Sequence, residues 1–448
     1  MIPLPEIFLQ HMKSLLPPDE FSAFYKTYEN STVRGLRLNQ LKPSQHYNDL
    51  PRIPWCAEGR VYPDTERPAK SIFFHAGLFY IQEPSAMCPV EVLKPLPGDR
   101  VLDLCAAPGG KSAQIAGHLQ GRGLLMSNDA SPSRSRALVK NLERMGVTNA
   151  VVTTELPRKL ADRFPAFFDR ILVDAPCSGE GMFRRDPDAV KAYTANKPDA
   201  CVEMQRDILR QAAKMLKPGG RLVYSTCTFN TRENEGVISE FLCTNEDFAL
   251  VPIDHKGLGI NQGLCGMQQA GRIFPHLATG EGHFVALLEK GGHSPESPKL
   301  SNPTVGGMPK EFAEFCNQHL TGTLPTGVIV PHGVNLYLQP EPLDLRGLRV
   351  ARSGWYLGEC AKGRFVPSQA LAMGLRKGDV AYNVELSEEN ADRYLRGESL
   401  DASGMFENEQ QKTAKPWVMV CFQGFPLGWA RLVQGRLKNN LPVGWAVQ

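Results

Sequence analysis

Short apolar runs alternate with amphipathic helical segments from Ile72 to Lys290. The runs include "DRVLDL", "GLLMSN", "NAVVTT", "DRILVD" and "GRLVYS", and segments such as "CVEMQRDILRQAAKML" separate them; "GHFVALLEK" predicts a final strand. Strands that alternate with helices form βαβ units, in which neighbouring strands run parallel. The sequence therefore predicts an α/β core with a mostly parallel sheet.

The remainder of the 448 residues is too long to belong to that core and indicates further domains. A helical start and a basic, apolar alternation, "VRGLRLNQLKP", precede the core, and a stretch rich in Pro, Gly and Ser follows it. Turns at short intervals near the end predict a small β-rich module. The predicted parts are an N-terminal extension (1–70), the core (71–290), a linker (291–310), a middle α/β module (311–375) and a C-terminal β-rich domain (376–448).

Composition narrows the class of protein. Hydrophobic residues make up 42% and charged residues 22% of the chain, and no apolar run approaches the roughly 20 residues that span a bilayer. The N-terminus lacks the pattern of a secretory signal, so we expect a cytoplasmic protein without a membrane partner. None of the eleven cysteines has C-x-x-C or zinc-finger spacing, which predicts reduced thiols and no metal site.

The stretch "VLDLCAAPGGKSAQIA" predicts a buried strand, a turn at Gly109 and Gly110, and a helix. Glycines let backbone amides approach a ligand closely. A Walker loop would need a glycine where Cys105 stands, and the G-x-G-x-x-G fingerprint is absent. Asp129 follows about 20 residues later, as ribose-binding acids do, and this pattern suits S-adenosylmethionine. The alternative is a tight strand-to-helix turn without a ligand.

Two cysteines end apolar runs, Cys177 in "RILVDAPCSGEG" and Cys227 in "RLVYSTCTFN". Ligands of parallel sheets bind at the carboxyl ends of the strands, although a single cysteine is more often a buried, inert thiol. A thiolate that adds to carbon 6 of a pyrimidine makes carbon 5 nucleophilic toward a methyl donor. Asp174 is placed to bond to and help protonate the ring nitrogen, and a second thiol can remove the carbon 5 proton.

These motifs resemble those of the RNA cytosine-5 methyltransferases of the Nop/Sun family, and within it the bacterial 16S ribosomal RNA branch. The stretches that carry the resemblance are "GLFYIQEPSAM", "VLDLCAAPGGK", "DAPCSGEGMFRRDP", "YSTCTFNTRENE" and "GFPLGWARLVQGRLKNNLP". The resemblance spans nearly the whole chain. It implies a Rossmann-like S-adenosylmethionine-dependent methyltransferase core, an N-terminal RNA-binding extension and a C-terminal PUA-like RNA-binding domain.

The resemblance also assigns residues. It implies that Cys227 is the nucleophile and Cys177 promotes release of the product, with Asp174 and Lys111 beside the target base. Where the family often has an aspartate near the adenine, this chain has "VTTELP", so Glu155 is the substitute. The predicted cofactor contacts are Cys105, Ala106, Ala107, Pro108, Gly109, Gly110, Lys111, Asp129, Arg134, Glu155, Asp174 and Pro176. The predicted RNA contacts are Arg34, Arg37, Asn39, Arg436 and Lys438.

Basic residues leave an alternative open. The helix predicted in "SPSRSRALVKNLERMG" carries Arg136, Lys140 and Arg144 on one face. For these three residues, a helix face exposed to solvent is favoured over contact with phosphate. For Arg34 and Arg37, a basic face exposed to solvent is as good an interpretation as contact with RNA. No histidine pairs with an acid at motif spacing, so none is given a role.

The sequence as a whole predicts a monomeric S-adenosylmethionine-dependent RNA cytosine-5 methyltransferase that acts on 16S rRNA in the small ribosomal subunit. The same chemistry on tRNA shares every catalytic motif and stays an alternative. A catalytically idle RNA-binding assembly factor is a third possibility, against which the intact cysteine pair speaks.

Overall fold

The computed structural model describes residues 3–194, 197–292, 307–405 and 417–447. Most of the predicted linker, 291–310, therefore lies outside the described residues. No helix in the described part of the chain has the length and apolar character that crossing a membrane requires.

The N-terminal part is a helical hairpin followed by a small antiparallel sheet with strand order β2-β3-β1-β4. The predicted boundary at residue 70 falls inside this unit, because β4 pairs with β1. That pairing joins segments about 40 residues apart, and local periodicity does not report it. The elements are α1 (Glu6–Leu15), α2 (Pro18–Lys26), β1 (Arg34–Leu38), β2 (Arg52–Ile53), β3 (Cys56–Tyr62), α3 (Ile72–His75) and β4 (Phe79–Ile81).

The central part contains most of a ten-stranded sheet with helices on its faces. Its elements are α4 (Cys88–Leu93), β5 (Arg100–Asp103), α5 (Gly110–Leu119), β6 (Leu124–Asn128), α6 (Pro132–Arg144), β7 (Ala150–Thr153), α7 (Pro157–Arg163), β8 (Phe168–Asp174), α8 (Pro187–Ala192), α9 (Lys197–Met215), β9 (Leu216–Thr226), α10 (Val237–Thr244), β10 (Phe248–Val251), α11 (His255–Leu258), β11 (Asn261–Gln262), β12 (Gly271–Ile273) and β13 (His283–Lys290).

The parallel strands follow the order β7-β6-β5-β8-β9, and β13 joins β9 in the antiparallel direction. The order reverses at β5, so the loops after β5 and β8 open a crevice at the carboxyl edge of the sheet. Buried apolar residues fill both faces, as a parallel sheet between helices requires. This architecture confirms the predicted Rossmann-like α/β core.

The C-terminal part forms two further sheets, of four and five strands. Its elements are α12 (Lys310–His319), β14 (Val328–His332), β15 (Asn335–Gln339), β16 (Val350–Arg352), β17 (Trp355–Ala361), β18 (Arg364–Pro367), α13 (Gln369–Gly374), β19 (Asn383–Glu385), α14 (Glu388–Leu395), β20 (Leu400–Asp401), β21 (Trp417–Phe422), β22 (Phe425–Val433) and β23 (Arg436–Asn439). Strand β16 leaves this part and pairs with β7, so the middle segment extends the central sheet.

Helix α6 is an internal support of the fold. Lys140 Nζ donates a hydrogen bond to the Gly444 carbonyl at 2.6 Å, and the Arg144 guanidinium lies 3.8 Å from the centre of the Phe74 ring. The interpretation of α6 as a solvated outer helix is therefore wrong for Arg144. The exposed Arg136 and Lys140 do fit it. The N- and C-terminal parts share one apolar cluster, and both contact α6. Sequence periodicity did not show these contacts.

Candidate active site

The loop from Cys105 to Lys111 joins β5 to α5 at the carboxyl edge of the sheet. Gly109 has φ +110°, a left-handed conformation that a side chain would strain. Beside the loop, the buried Asp129 carboxylate accepts hydrogen bonds from the Ala107 amide at 3.3 Å and the Ser131 amide at 3.0 Å. The loop and the acid therefore form one ordered cluster at adjacent strand ends.

This cluster suits S-adenosylmethionine. Asp129 offers a carboxylate to ribose hydroxyls, and the glycine turn at the N-terminus of α5 permits a close approach to backbone amides. The half-exposed Arg134 borders the cluster: it contacts Asp129 at 3.2 Å and donates to the Ala107 carbonyl at 2.7 Å. Pro176, which lies between Asp174 and Cys177 in the chain, is exposed. Its carbonyl accepts a hydrogen bond from Gln205 Nε2.

Asp174, the last residue of β8, is the centre of a polar cluster. Its Oδ2 accepts a hydrogen bond from Lys111 Nζ at 2.8 Å, and its Oδ1 accepts one from Ser225 Oγ at 2.8 Å. Burial alone would raise the pKa of Asp174, but Lys111 and His283 outweigh burial and hold that pKa well below its usual range. Asp174 is therefore an ionised carboxylate paired with an ammonium group.

Cys177 and Cys227 lie together beside this carboxylate, with their Sγ atoms 3.5 Å apart. The hydrogen bond to Cys227 and burial raise the pKa of the Cys177 thiol well above its usual range. Cys177 therefore keeps its proton and can donate it to the Cys227 sulfur. Both side chains are partly exposed, so the pair is accessible to a substrate.

The two cysteine loops are tied to each other through short contacts. The Gly181 amide donates to the Cys227 carbonyl at 2.8 Å, and the Ser178 and Thr228 hydroxyls are 2.7 Å apart. A Cβ at Gly181 would lie 2.8 Å from the Cys227 carbonyl oxygen, so only glycine permits this approach. The glycine after the "PCS" motif thus brings the thiols into contact.

Two further side chains support the Cys177 loop, and sequence reasoning missed both. Glu233 Oε2 accepts from the Ser178 amide at 2.9 Å and from Gln205 Nε2 at 3.0 Å. Gln205 Nε2 also donates to the Pro176 carbonyl at 2.9 Å. Glu233 stands in the quoted motif "NTRENE", which could have pointed to it, whereas Gln205 lies in the middle of α9 without a signal.

His283 is the third residue that the sequence did not reveal. It begins β13, and its Nε2 lies 3.6 Å from Asp174 Oδ1. No histidine pairs with an acid at motif spacing in the sequence, so that criterion could not find this contact. The two residues are 109 positions apart (283 − 174), and only the pairing of β13 with β9 brings them together.

Comparison with known proteins gives the family. The model of "16S rRNA methyltransferase RsmB/F" matches residues 90–289. Models of the N-terminal domain, the first C-terminal domain and the PUA domain of 16S rRNA methyltransferase RsmF match residues 4–84, 314–375 and 381–447. The ribosomal RNA small subunit methyltransferase F of Erwinia tasmaniensis is 34% identical, over 98% of this chain and 96% of its own.

The chain belongs to this 16S rRNA methyltransferase family. The protein of the same name from Vibrio parahaemolyticus is also 34% identical, over 98% of this chain and 97% of its own. A solved structure of a methyltransferase homolog from Pyrococcus horikoshii is 29% identical, with a TM-score of 0.52, and covers 64% of this chain and 100% of that one. Family membership confirms the predicted S-adenosylmethionine-dependent RNA cytosine-5 methyltransferase class and the PUA domain.

One predicted cofactor contact of this family member needs correction. The Glu155 carboxylate accepts hydrogen bonds from the Arg349 amide at 2.7 Å, from Lys159 at 2.9 Å and from the Arg349 guanidinium at 3.3 Å. Both of its oxygens are thus held by protein groups, and the side chain is 2% exposed. Glu155 anchors the segment before β16, so we withdraw its assignment to the adenine.

Two predicted RNA contacts are also wrong. Arg37 is buried and donates to the Gly110 carbonyl at 2.9 Å and to Gln114 at 3.3 Å. Asn39 is buried and donates to the Gly77 and Met145 carbonyls at 2.7 and 2.8 Å. Both side chains connect the N-terminal sheet to the central domain.

The other basic candidates reach the surface. Arg34 pairs with Asp64 at 2.7 Å and is 41% exposed. Arg436 and Lys438 are exposed on β23 of the PUA domain, and Arg431 lies opposite Lys438 on β22. In the described residues, no group of three or more potential ligands could hold a metal ion. RNA contact by Arg34, Arg436 and Lys438 stays a prediction.

The burial of Arg37 leads to a stability prediction. We expect Arg37→Met to lower the free energy of unfolding by about 2 to 4 kcal/mol, because the Gly110 carbonyl, Gln82 and Gln114 lose a charged donor. Calorimetric unfolding of the full chain measures this loss. The exposed Arg436→Ala serves as the matched control, with an expected change within about 0.5 kcal/mol. Unchanged stability of Arg37→Met with weakened RNA binding would contradict the structural role.

Proposed function

We propose that this chain methylates carbon 5 of a cytosine in 16S rRNA with Cys227 as the nucleophile and Cys177 as the base that completes the reaction. The observation that carries the proposal is the contact of the two Sγ atoms, 3.5 Å apart, at the edge where Asp174 pairs with Lys111. An RNA-binding protein without catalysis needs neither thiol.

The first step uses the asymmetry of the thiol pair. Cys177 holds its proton and can donate a hydrogen bond to the Cys227 sulfur, 3.5 Å away, while the proton of Cys227 leaves to solvent. This sulfur forms a bond to carbon 6 of the cytosine, and the π electrons move through carbon 5 toward ring nitrogen 3. Nitrogen 3 takes up a proton as the charge arrives.

Asp174 and Lys111 support this shift of charge. Because Asp174 is ionised, it accepts a hydrogen bond from the exocyclic amino group of the base instead of donating a proton. Lys111 donates to Asp174 at 2.8 Å, and the carboxylate keeps the pKa of Lys111 raised against the opposing effect of burial. We therefore transfer the proton-donating role predicted for Asp174 to the Lys111 ammonium group.

The second half of the reaction frees the product. S-adenosylmethionine, when bound, supplies the electrophilic methyl group that carbon 5 accepts. Cys177 then removes the carbon 5 proton, the electron pair of that C–H bond restores the C5=C6 double bond, and the bond from carbon 6 to Cys227 breaks with its electrons on sulfur. Nitrogen 3 returns its proton.

The change in Cys227 prepares Cys177 for this role. The hydrogen bond and negative charge at Cys227 contribute to the raised pKa of Cys177. A thioether between Cys227 and carbon 6 is uncharged, so bond formation removes that contribution. Cys177 therefore becomes more acidic after the nucleophile has attacked, and it releases its own proton to solvent before its thiolate takes up the carbon 5 proton.

The proposed substrate is 16S rRNA in the small ribosomal subunit. This chain would bind it as a monomer in the cytoplasm. The names of the Erwinia and Vibrio relatives support the small subunit as substrate. The N-terminal sheet and the PUA domain share one apolar cluster, and each donates or accepts a hydrogen bond with the central domain. Contacts of these parts to RNA would offset the few kcal/mol that unstacking the target base costs.

A substrate comparison tests this proposal. The purified chain and labelled S-adenosylmethionine are incubated in parallel with small ribosomal subunits, naked 16S transcript and bulk tRNA, all from cells without the enzyme. We expect label in 16S rRNA at carbon 5 of cytosine when modified bases are mapped, with the subunits as the better substrate. Methylation of tRNA alone would replace the proposed substrate, and no transfer to any RNA would reject the catalytic role.

A further inference from the structure

His283 lies behind Asp174 at the bottom of the active site. Its side chain is 4% exposed, and its Nε2 faces Asp174 Oδ1 at 3.6 Å. Lys111 contacts the other oxygen of the same carboxylate at 2.8 Å. Two basic groups from separate elements, α5 and β13, therefore share one carboxylate.

The other ring nitrogen of His283 also faces acceptors. Nδ1 lies 3.1 Å from the Gly282 carbonyl and 3.3 Å from Ser85 Oγ. The Ser85 hydroxyl donates its proton to Glu83 Oε2 at 2.5 Å, so toward His283 it can only accept. A neutral imidazole has only one N–H, so the lone pair of its other ring nitrogen would point at an acceptor. The imidazolium has two N–H groups, one toward Asp174 and one toward the Gly282 carbonyl and Ser85.

We propose that His283 is a positioning residue that, as an imidazolium, holds Asp174 in place together with Lys111 and adds a positive charge beside the cysteine pair. Lys111 and Asp174 alone sum to zero charge. The imidazolium makes the group positive by one, which stabilises the Cys227 thiolate and the negative charge that develops on the base. This inference rests on the proposed function, because it assigns a role within that site.

The pairing of β13 with β9 places His283 near Cys227. His283 precedes Phe284, which pairs with Thr226, the residue directly before Cys227. Charged and titratable groups near the ring come from the segment before Ser85, from the ends of β8 and β9, from α5, and from the segments that precede α8 and β13. They are Glu83, Asp174, Lys111, Cys227, Glu281 and Arg184, of which the last two pair at 3.1 Å.

The decisive experiment measures the reactivity of Cys227 without RNA. The full-length wild type and His283→Gln are alkylated with iodoacetamide over about pH 5 to 10, a range that spans ordinary imidazole and thiol titrations. Peptide mass spectrometry then quantifies Cys227 separately from Cys177. Glutamine can donate a hydrogen bond to Asp174 but carries no charge, so the variant isolates the effect of charge.

We expect the alkylation midpoint of Cys227 to rise by about one pH unit in His283→Gln, because a nearby cation favours the thiolate. The sign follows from the loss of a positive charge. The two proteins should converge at high pH, where the thiol is fully ionised in both. His255→Gln, on α11 with its Nε2 at the Ala270 carbonyl, is the matched control and should follow the wild type.

The outcomes separate this inference from the proposed function. An identical midpoint in wild type and His283→Gln would overturn the role of His283. If His283→Gln does not fold, His283→Asn, which also donates a hydrogen bond without a charge, gives the same comparison. Normal methyl transfer by the wild type alongside an unshifted midpoint would leave the proposed function intact. A shifted midpoint without any methyl transfer would reject the function alone.

Discussion

Cys177→Ala is expected to accumulate a covalent complex between the protein and RNA when S-adenosylmethionine is present. Cys227 keeps its access to carbon 6 and the methyl group is accepted, but no thiol removes the carbon 5 proton. The bond from Cys227 to carbon 6 therefore persists, and turnover should fall by roughly a hundredfold or more, as loss of a general base does. A denaturing gel with labelled RNA measures the complex, and base-resolution mapping measures turnover.

The contact of the two sulfurs, 3.5 Å apart, makes this test specific for Cys177. Cys265 is exposed and lies outside the catalytic loops, so Cys265→Ala is a suitable control that should behave as the wild type. A trapped complex should contain methylated cytosine after digestion. If the complex forms with Cys227→Ala instead, the assigned roles of the two cysteines are reversed.

Cys227→Ala should abolish both turnover and the covalent complex. Carbon 5 of a cytosine does not attack a methyl donor until a nucleophile has added to carbon 6, and alanine cannot add. We expect a loss of roughly ten-thousand-fold or more, the scale on which removal of a nucleophile acts. Single-turnover methyl transfer with excess enzyme measures this rate, and RNA affinity is measured in parallel by filter binding.

The double variant Cys177→Ala/Cys227→Ala provides the control for this result. It should also form no complex, because the trapped bond of the single Cys177 variant requires the Cys227 sulfur. RNA binding by Cys227→Ala should stay close to that of the wild type, since one partly exposed thiol contributes little area. Residual transfer near the wild-type rate would show that another group is the nucleophile.

The local sequence predicted the catalytic loops well. Adjacent glycines, an acid after the next strand and cysteines at two strand ends are all short-range features, and each reflects a local requirement of backbone conformation or chemistry. The structure brings Cys177, Cys227, Asp174 and Lys111 together at one edge, as the strand positions suggest. The alternation of strands and helices likewise predicted the parallel core.

The failures share one cause. Arg37 and Asn39 lie in a basic alternation that suits an RNA-binding face, and only the docking of β1 on the central domain shows that they point inward. Glu155 follows β7 as a cofactor acid would, but a segment almost 200 residues later takes its carboxylate. In each case the partner of the polar group lies far along the chain.

The sequence by itself determined the class of fold, the glycine loop after β5 and the two cysteines at strand ends, because these depend on residues close together in the chain. Only the tertiary structure decided which charges surround those thiols. His283 meets Asp174 because β13 lies against β9, and Glu233 supports the Cys177 loop because α9 and the segment after Cys227 pack beside it. Burial and charge depend on which distant elements meet, and no local pattern encodes that meeting.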